Sequence, residues 1–423
     1  MITSVANSVN ITPDMKLPLA GYREYRIATE AHDNLEANYI IIKSQDDNLI
    51  LLLSFDLLYV GRELRDLIWQ GLKKYLKVEE NLFCAASHTH FAPATDATLP
   101  YLGAVKHEYV SNIATKIINQ VTESIEQNNF TELTITHKKG KAKNIVSRRL
   151  LQRQYLQPLK FPYSIKYKPN INAEVLKDID ILEVYAEEDA SKPVCILWSM
   201  ACHPVCFPKK DHISADYPGY IRTALRKQFA DATLPVLFFQ GTAGETRPMV
   251  INKNNSWLDS WRSYLMGPRF GSFTLQQWQN WAEDIFKSFS MAEKQHAIRP
   301  QTIAASRITV PLSTLLKGNY QQKEISVQQI NIGDTIKLVG VSAELMLEHA
   351  VALKQITACE GSIMIGYIDA VYGYWPTDRQ LQEGGYESDT HRGLFSINGN
   401  FVSSPNKVMY EVLQTLKIQE QIK

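Results

Sequence analysis

The stretch Phe83-Cys84-Ala85-Ala86-Ser87-His88-Thr89-His90-Phe91-Ala92-Pro93 is a short apolar run that ends in Ser-His-Thr-His and then a turn-forming Ala-Pro. A run of that length bounded by turn residues reads as a buried strand. Alternate side chains of a strand share a face, so the pattern predicts that His88 and His90 project the same way. Two imidazoles at a strand end can share a metal, or divide into one ligand and one acid/base. The arrangement recurs in Leu197-Trp198-Ser199-Met200-Ala201-Cys202-His203-Pro204-Val205-Cys206-Phe207, again an apolar strand ending in histidine and proline. The recurrence constrains the fold more than either run alone, because strand ends in α/β proteins converge on a common edge where sites form.

Strand and helix patterns mix throughout the rest of the chain. Residues 37–43, 48–54, 83–87, 132–138, 178–186, 194–200, 236–239, 302–310, 324–330 and 335–341 read as strands. Helical spacing marks 60–76, 107–127, 217–229, 275–295 and 344–355, with Asp216 expected to cap the third. Residues 4–20 read as an extended leading segment. The expected fold is mixed α+β, with layered sheets flanked by helices and the metal site at strand C-terminal ends. No linker or repeat divides 1–423, which reads as a single domain with an aromatic-rich insertion at about 249–281. Trp257, Trp261, Tyr264, Phe270, Phe273, Trp278 and Trp281 fall in that stretch. It reads either as a helical excursion feeding the core or as a lid over a substrate pocket.

Charge narrows the function classes. Lys+Arg 45 against Asp+Glu 44 gives a net charge of +1, so no global field favours nucleic acid or an anionic membrane. No apolar run approaches a membrane span, and the first residues lack the basic and apolar regions of a signal peptide. The five cysteines are odd in number and mostly lie in apolar runs, which fits reduced thiols. A cytoplasmic location is expected. Cys202 and Cys206 have hydrophobic flanks and no second pair, which argues against a cysteine zinc site.

Three other segments carry chemistry. Gly241-Thr242-Ala243-Gly244-Glu245-Thr246-Arg247-Pro248 follows an apolar strand, and glycine there can aim N–H groups at an oxyanion. It is neither a Walker loop nor a dinucleotide fingerprint. Glu344 stands at a strand–helix junction, where a carboxylate also complements the helix dipole. Residues 366–377 are dense in tyrosine, among them Tyr374.

Set in order, Ile11-Thr12-Pro13, Gly21-Tyr22, His32-Asp33-Asn34-Leu35-Glu36-Ala37, Ser54-Phe55-Asp56-Leu57, Ser87-His88-Thr89-His90, Ala201-Cys202-His203-Pro204, Ala243-Gly244-Glu245, Ala343-Glu344 and Tyr374 form a specific series. The series resembles the N-terminal catalytic domain of the neutral/alkaline, non-lysosomal ceramidase family over nearly all of 4–390. The resemblance implies a zinc hydrolase that cleaves an amide, with His88, His203, Glu344 and Tyr374 holding Zn²⁺ and His90 as the acid/base. Arg148 resembles the arginine that supports the substrate oxygen, with Arg149 an alternative by register, and Tyr386 resembles the hydroxyl donor near the carbonyl. Two departures stand out. Arg247 occupies the place of the family's serine in its Ala-Gly-Asp-x-Ser-Pro loop, and no C-terminal β-sandwich or secretion signal accompanies this chain.

The sequence therefore points to a zinc-dependent hydrolase of C–N amide bonds acting on a soluble small molecule. Arg247 would favour an anionic substrate group, with Gly244, Arg149 and Trp257 as further substrate contacts. Acyl transfer on the same zinc site is the alternative from a neighbouring class, and a non-catalytic binding protein is the third. An amidohydrolase barrel also uses His-x-His, but the later Asp and His pattern it needs is not found. Oligomeric state is open.

Overall fold

A computed structural model describes residues 2–22, 25–153, 163–252, 256, 257, 261, 263, 267–318, 320 and 323–422. The longer strands begin with β1 (Thr3–Asn10), β2 (Glu36–Lys43), β3 (Leu49–Phe55), β4 (Leu82–Ala86), β5 (Thr131–Lys141), β6 (Ile145–Arg153), β7 (Tyr163–Asn170) and β8 (Asp178–Ala186). They continue with β9 (Cys195–Met200), β10 (Val236–Gln240), β11 (Thr246–Pro248), β12 (Glu293–Ile298), β13 (Ile303–Pro311), β14 (Glu324–Ile332), β15 (Ile336–Val341) and β16 (Ser362–Ile365). Helices include α1 (Arg62–Leu76), α2 (His107–Gln127), α3 (Asp216–Gln228), α4 (Leu275–Ser290), α5 (Leu347–Thr357), α6 (Asp378–Glu383) and α7 (Pro405–Ile422).

The large sheet runs β10-β9-β8-β5-β1-β2-β3-β4, with β12 added alongside β5. Its strands β2, β3, β4, β9 and β10 are buried on both faces, and the period of two sorts their side chains into separate cores. From β2, Tyr39 and Ile41 pack with Leu64, Ile68 and Leu72 of α1 and Ile113 and Ile117 of α2. The intervening Ile40 and Ile42 join Leu197, Leu237 and Phe239 against Ile330, Leu338 and Ile363 of a second sheet. That second sheet has the order β13-β14-β15-β16. Its other face, through Val327, Val339 and Val341, meets Leu353 of α5 and Leu413 and Leu416 of α7. At the far end of the large sheet, Ile196, Trp198 and Phe238 pack under Tyr217 and Ile221 of α3 and Trp281 and Ile285 of α4. The result is two sheets sharing a core, with helices outside both. Each such aliphatic side chain removed from water contributes roughly 1.5–3 kcal/mol, which makes this alternation the main determinant of the layering.

Most pairings are antiparallel, yet among the longer strands β3 with β4, β9 with β10 and β15 with β16 run parallel. Parallel neighbours end at the same edge, so each pair delivers two loops side by side. A separate three-stranded sheet, β7-β6-β11, places Tyr167 opposite Arg149 and Arg247 opposite Val146.

Several elements differ from the sequence expectation. The segment 4–20 opens with a full strand, β1, paired along its length with β2. The helix expected over 275–295 stops at Ser290, because residues 293–298 complete an otherwise open edge of β5. The helix expected from 344 starts at Leu347 instead. Glu344–Leu345 forms a two-residue parallel pairing with Tyr374–Trp375, opposing Glu344 to Tyr374. Asp216 does not cap α3. It is the first helical residue, at φ 54, and its carboxylate accepts from the backbone N–H of Cys206, Phe207 and Tyr217 and from Trp278 Nε1.

Candidate metal centre and substrate pocket

The carboxyl ends of the parallel pairs supply the centre. β4 ends at Ala86, and the chain enters the left-handed region at His88, φ 66. His88 and His90 therefore meet through a loop turn rather than through the strand pleat expected from sequence, with their Nε2 atoms 3.3 Å apart. His203 follows β9, and its N–H is held by the Thr246 carbonyl at 2.9 Å. Glu344 follows β15. His88, His203 and Glu344 each direct one ligand atom to a common point, within 4.8 Å of one another, and all are buried.

The donor set fits a cation. His88 Nδ1 donates to the Leu58 carbonyl at 3.1 Å and His203 Nδ1 to the Ala243 carbonyl at 2.6 Å. Each bond fixes the Nδ1–H tautomer and turns a lone pair on Nε2 inward. Those lone pairs face the same carboxylate oxygen, Glu344 Oε2, at 3.8 and 3.4 Å. Acceptors aimed at acceptors in a buried site repel unless a positive ion stands between them. Burial keeps both rings neutral: it pushes His88 down to about 3 and lowers His203, with Arg148 adding to the latter. Burial works against the Glu344 carboxylate, and the Tyr374 hydroxyl is among the donors that offset it. Tyr59 also donates to Glu344 Oε1 at 2.7 Å and Tyr367 to Oε2 at 3.2 Å. His90, half-buried beside the two rings, is likewise lowered, by burial first and then by His88.

Tyr374 hydrogen-bonds Glu344 and receives Arg148 Nη2 at 2.8 Å. Arg148 Nε donates in turn to Glu387 Oε1 at 2.8 Å, and Tyr386 packs edge-on against Tyr374 with ring centroids 5.6 Å apart. Arg148, Tyr374, Tyr386 and Arg247 line one pocket of about 190 Å³ with His88, His90, His203 and Glu344. Arg149 points away. It binds Glu387 Oε2 at 2.5 Å and Glu383 Oε2 at 3.0 Å, and borders a separate cavity of about 610 Å³ beside Arg379. The structure thus brings Arg148, not Arg149, to the centre. The charges around the larger cavity are spent on one another, Arg379 on Glu348 and Glu383, and Arg149 on Glu383.

Gly244 and Trp257 do not join the pocket. The Gly244 N–H donates to the Leu345 carbonyl at 2.8 Å, and a Cβ there would sit 2.7 Å from Met346 Sδ and 2.8 Å from that carbonyl oxygen. Its glycine lets the loop press against the segment that carries Glu344, rather than binding an oxyanion. Trp257 is 70% exposed, whereas Trp278 and Trp281 are core residues. Tyr264 lies outside the described residues. Sequence reasoning missed Tyr59 and Tyr367, which donate to the Glu344 carboxylate, and Glu387, which pairs with Arg148. Glu387 directly follows Tyr386, and Tyr59 lies two residues beyond the motif ending at Leu57, so proximity to motif residues was the available signal.

All five cysteines are free, and the described residues include no helix long and apolar enough to cross a membrane. No protein-family model matches the sequence, and no curated protein matches it significantly. Solved structures do match in fold. Neutral ceramidase from Pseudomonas aeruginosa aligns with a TM-score of 0.75 at 15% identity, over 99% of this chain and 75% of that one. A ceramidase complexed with C2 aligns with a TM-score of 0.74 at 14% identity, over the same shares. Over nearly its whole length, then, the chain has the fold of the neutral ceramidases.

Proposed function

We propose that residues 1–423 act as one zinc-dependent hydrolase that cleaves the C–N bond of a small-molecule amide. Water is consumed, and a carboxylic acid and an amine are released. The observation that carries this reading is the convergence of three acceptor atoms from His88, His203 and Glu344 beside His90 at the floor of a pocket. The neutral ceramidase fold supports it.

In this reading His88, His203, Glu344 and Tyr374 hold the ion. A bound Zn²⁺ supplies Lewis acidity and lowers the pKa of its water to about 7. The protein's own groups do the rest. His90, kept neutral by burial, takes the proton that the attacking water gives up and hands it to the departing amine nitrogen, a role worth roughly 10²–10⁴ in rate. Tyr386 and Arg148 present donors where the carbonyl oxygen gathers negative charge, and one such donor is worth about 10²–10³. Glu387 keeps Arg148 aimed inward. Arg247 stands where a serine nucleophile would need to be, and a guanidinium does not attack carbonyl carbon.

Elemental analysis together with an amine-release screen over small N-acyl compounds tests the proposal. The expected result is one zinc per chain, with amine release abolished by chelation and restored by zinc. A zinc-loaded protein that releases no amine from any compound overturns it. Transfer of the acyl group to an added amine in preference to water moves the reading to acyl transfer.

A further inference from the structure

The pocket wall contains a cation that no carboxylate among the described residues answers. Arg247, half-buried on β11, donates through Nη1 to the Tyr167 hydroxyl at 2.8 Å, and its Nη2 lies 3.2 Å from Cys206 Sγ. Its guanidinium carbon stands 4.2 Å from the ring centroid of Phe270 and 5.8 Å from that of Tyr167. A phenol, a thiol and two aromatic faces carry no formal charge, and burial pushes the Cys206 thiol up to about 11, which keeps it protonated. Arg247 Nε is buried with no hydrogen-bond partner among the described residues. The protein treats its other buried arginines differently. Arg65 meets Asp369, Arg222 meets Asp56, and Arg148 and Arg149 share Glu387.

The excess charge is localised. The Tyr167 ring lies between two guanidiniums, 5.4 Å from that of Arg148 and 5.8 Å from that of Arg247. Glu387 answers the first, and nothing among the described residues answers the second. Desolvating a guanidinium beside π faces and neutral acceptors is tolerable, but a bound anion completes the site far better. The cavity is also small. At about 190 Å³ it falls below the roughly 300–1,000 Å³ of sites for drug-sized ligands.

We propose that Arg247 anchors a carboxylate on the substrate, so that the substrate class is compact amides bearing a carboxylate near the scissile bond. The inference rests on the amide-hydrolase reading above. The carboxylate belongs either to the amine half, as in an N-acyl amino acid, or to the acyl half, as in the half-amide of a short dicarboxylic acid. Both offer Arg247 the same group.

The test uses the zinc-loaded full chain and matched pairs of probes. N-acetyl amino acids are compared with their carboxamides, and N-methyl half-amides of short dicarboxylic acids with theirs. One series should show the acid preferred about 30-fold or more in kcat/KM, the scale of a buried charge contact. Arg247→Gln should erase at least tenfold of that preference, mainly through KM, and Arg247→Lys should keep part of it. The series that responds assigns the carboxylate to its half of the substrate. No preference for acids, or equal losses on acid and carboxamide, overturns the proposal. Calorimetric titration of the same acids into wild type and Arg247→Gln separates the two readings. Arg247-dependent binding without amine release sinks the hydrolase and leaves the anion site. Amine release without Arg247-dependent binding does the reverse. Should Arg247→Gln fail to fold, Arg247→Lys and Tyr167→Phe carry the comparison, and unchanged acid preference in both counts against the anchor.

Discussion

His203 has the arrangement that the proposed metal centre requires. One ring nitrogen is tied to the Ala243 carbonyl, the other faces Glu344, and burial keeps the ring uncharged. His203→Ala should therefore lose bound metal, whereas His90→Ala should retain it and lose turnover by roughly 10²–10⁴. Elemental analysis beside an amine-release assay checks both, and metal loss from both variants would place His90 among the ligands. Glu245 provides a test of electrostatics away from the centre. Burial, reinforced by Glu348, pushes its carboxyl up to about 7 in the folded chain, while its ordinary value is 4.5. The folded state thus holds the proton more tightly between those values, and stability falls as pH rises from about 4.5 to 7. Glu245→Gln keeps an acceptor for the Leu347 N–H and removes the ionisation. The variant should gain on the order of 2–3 kcal/mol over wild type at pH 8 and little at pH 4. Urea unfolding at the two pH values measures the difference, and equal effects at both would show that Glu245 ionises freely. At this scale the sequence was legible where a residue closes an apolar run, as His88 and His203 do. It marked the segments in or beside which Tyr59 and Tyr367 stand, but not that their hydroxyls reach a carboxylate.

At the scale of elements, the parallel pairs within a mostly antiparallel architecture decide where chemistry can occur. Strands such as β2, β3, β4, β9 and β10 were readable because each is an apolar run bounded by turns, whereas the polar β7 and β12 were not, and the alternation of Tyr39 and Ile41 against Ile40 and Ile42 places residues in two cores. The backbone beyond a strand end was not readable. His88 at φ 66 and the short pairing of Glu344 with Tyr374 are set by neighbouring loops, not by their own periodicity. Gly244 shows how tightly these loops fit. Gly244→Ala drives a Cβ into the Leu345 carbonyl and Met346, which should shift Glu344, weaken metal binding at least tenfold and cost about 1–3 kcal/mol. Gly393→Ala is the control, with nothing within 4 Å of the added carbon. Competition with a chromophoric chelator reads the affinity, and equal affinities in the two variants would remove Gly244 from the support of the centre.

At the scale of the whole molecule, the centre ties the large sheet to the second one, since His88 and His203 follow strands of the first and Glu344 a strand of the other. A ligand that binds only the folded chain stabilises it by mass action, about 4 kcal/mol at a thousandfold excess over Kd. Chelation should lower the melting temperature by several degrees in wild type and leave His203→Ala unmoved. Thermal unfolding with and without chelator checks this, and equal shifts in both would mean that the metal stabilises from another place. By itself the sequence determined the apolar strands and which histidines stand at their ends, though not β1, β6, β7 or β12, because only the former follow from local periodicity and turn residues. It did not determine that Arg148 rather than Arg149 turns inward, that Trp257 stays in solvent, or that Tyr59 reaches a carboxylate 285 residues away. Those outcomes depend on the order and direction of strands in the two sheets. Many weak contacts distributed along the chain set that order together, so no local window of sequence contains it.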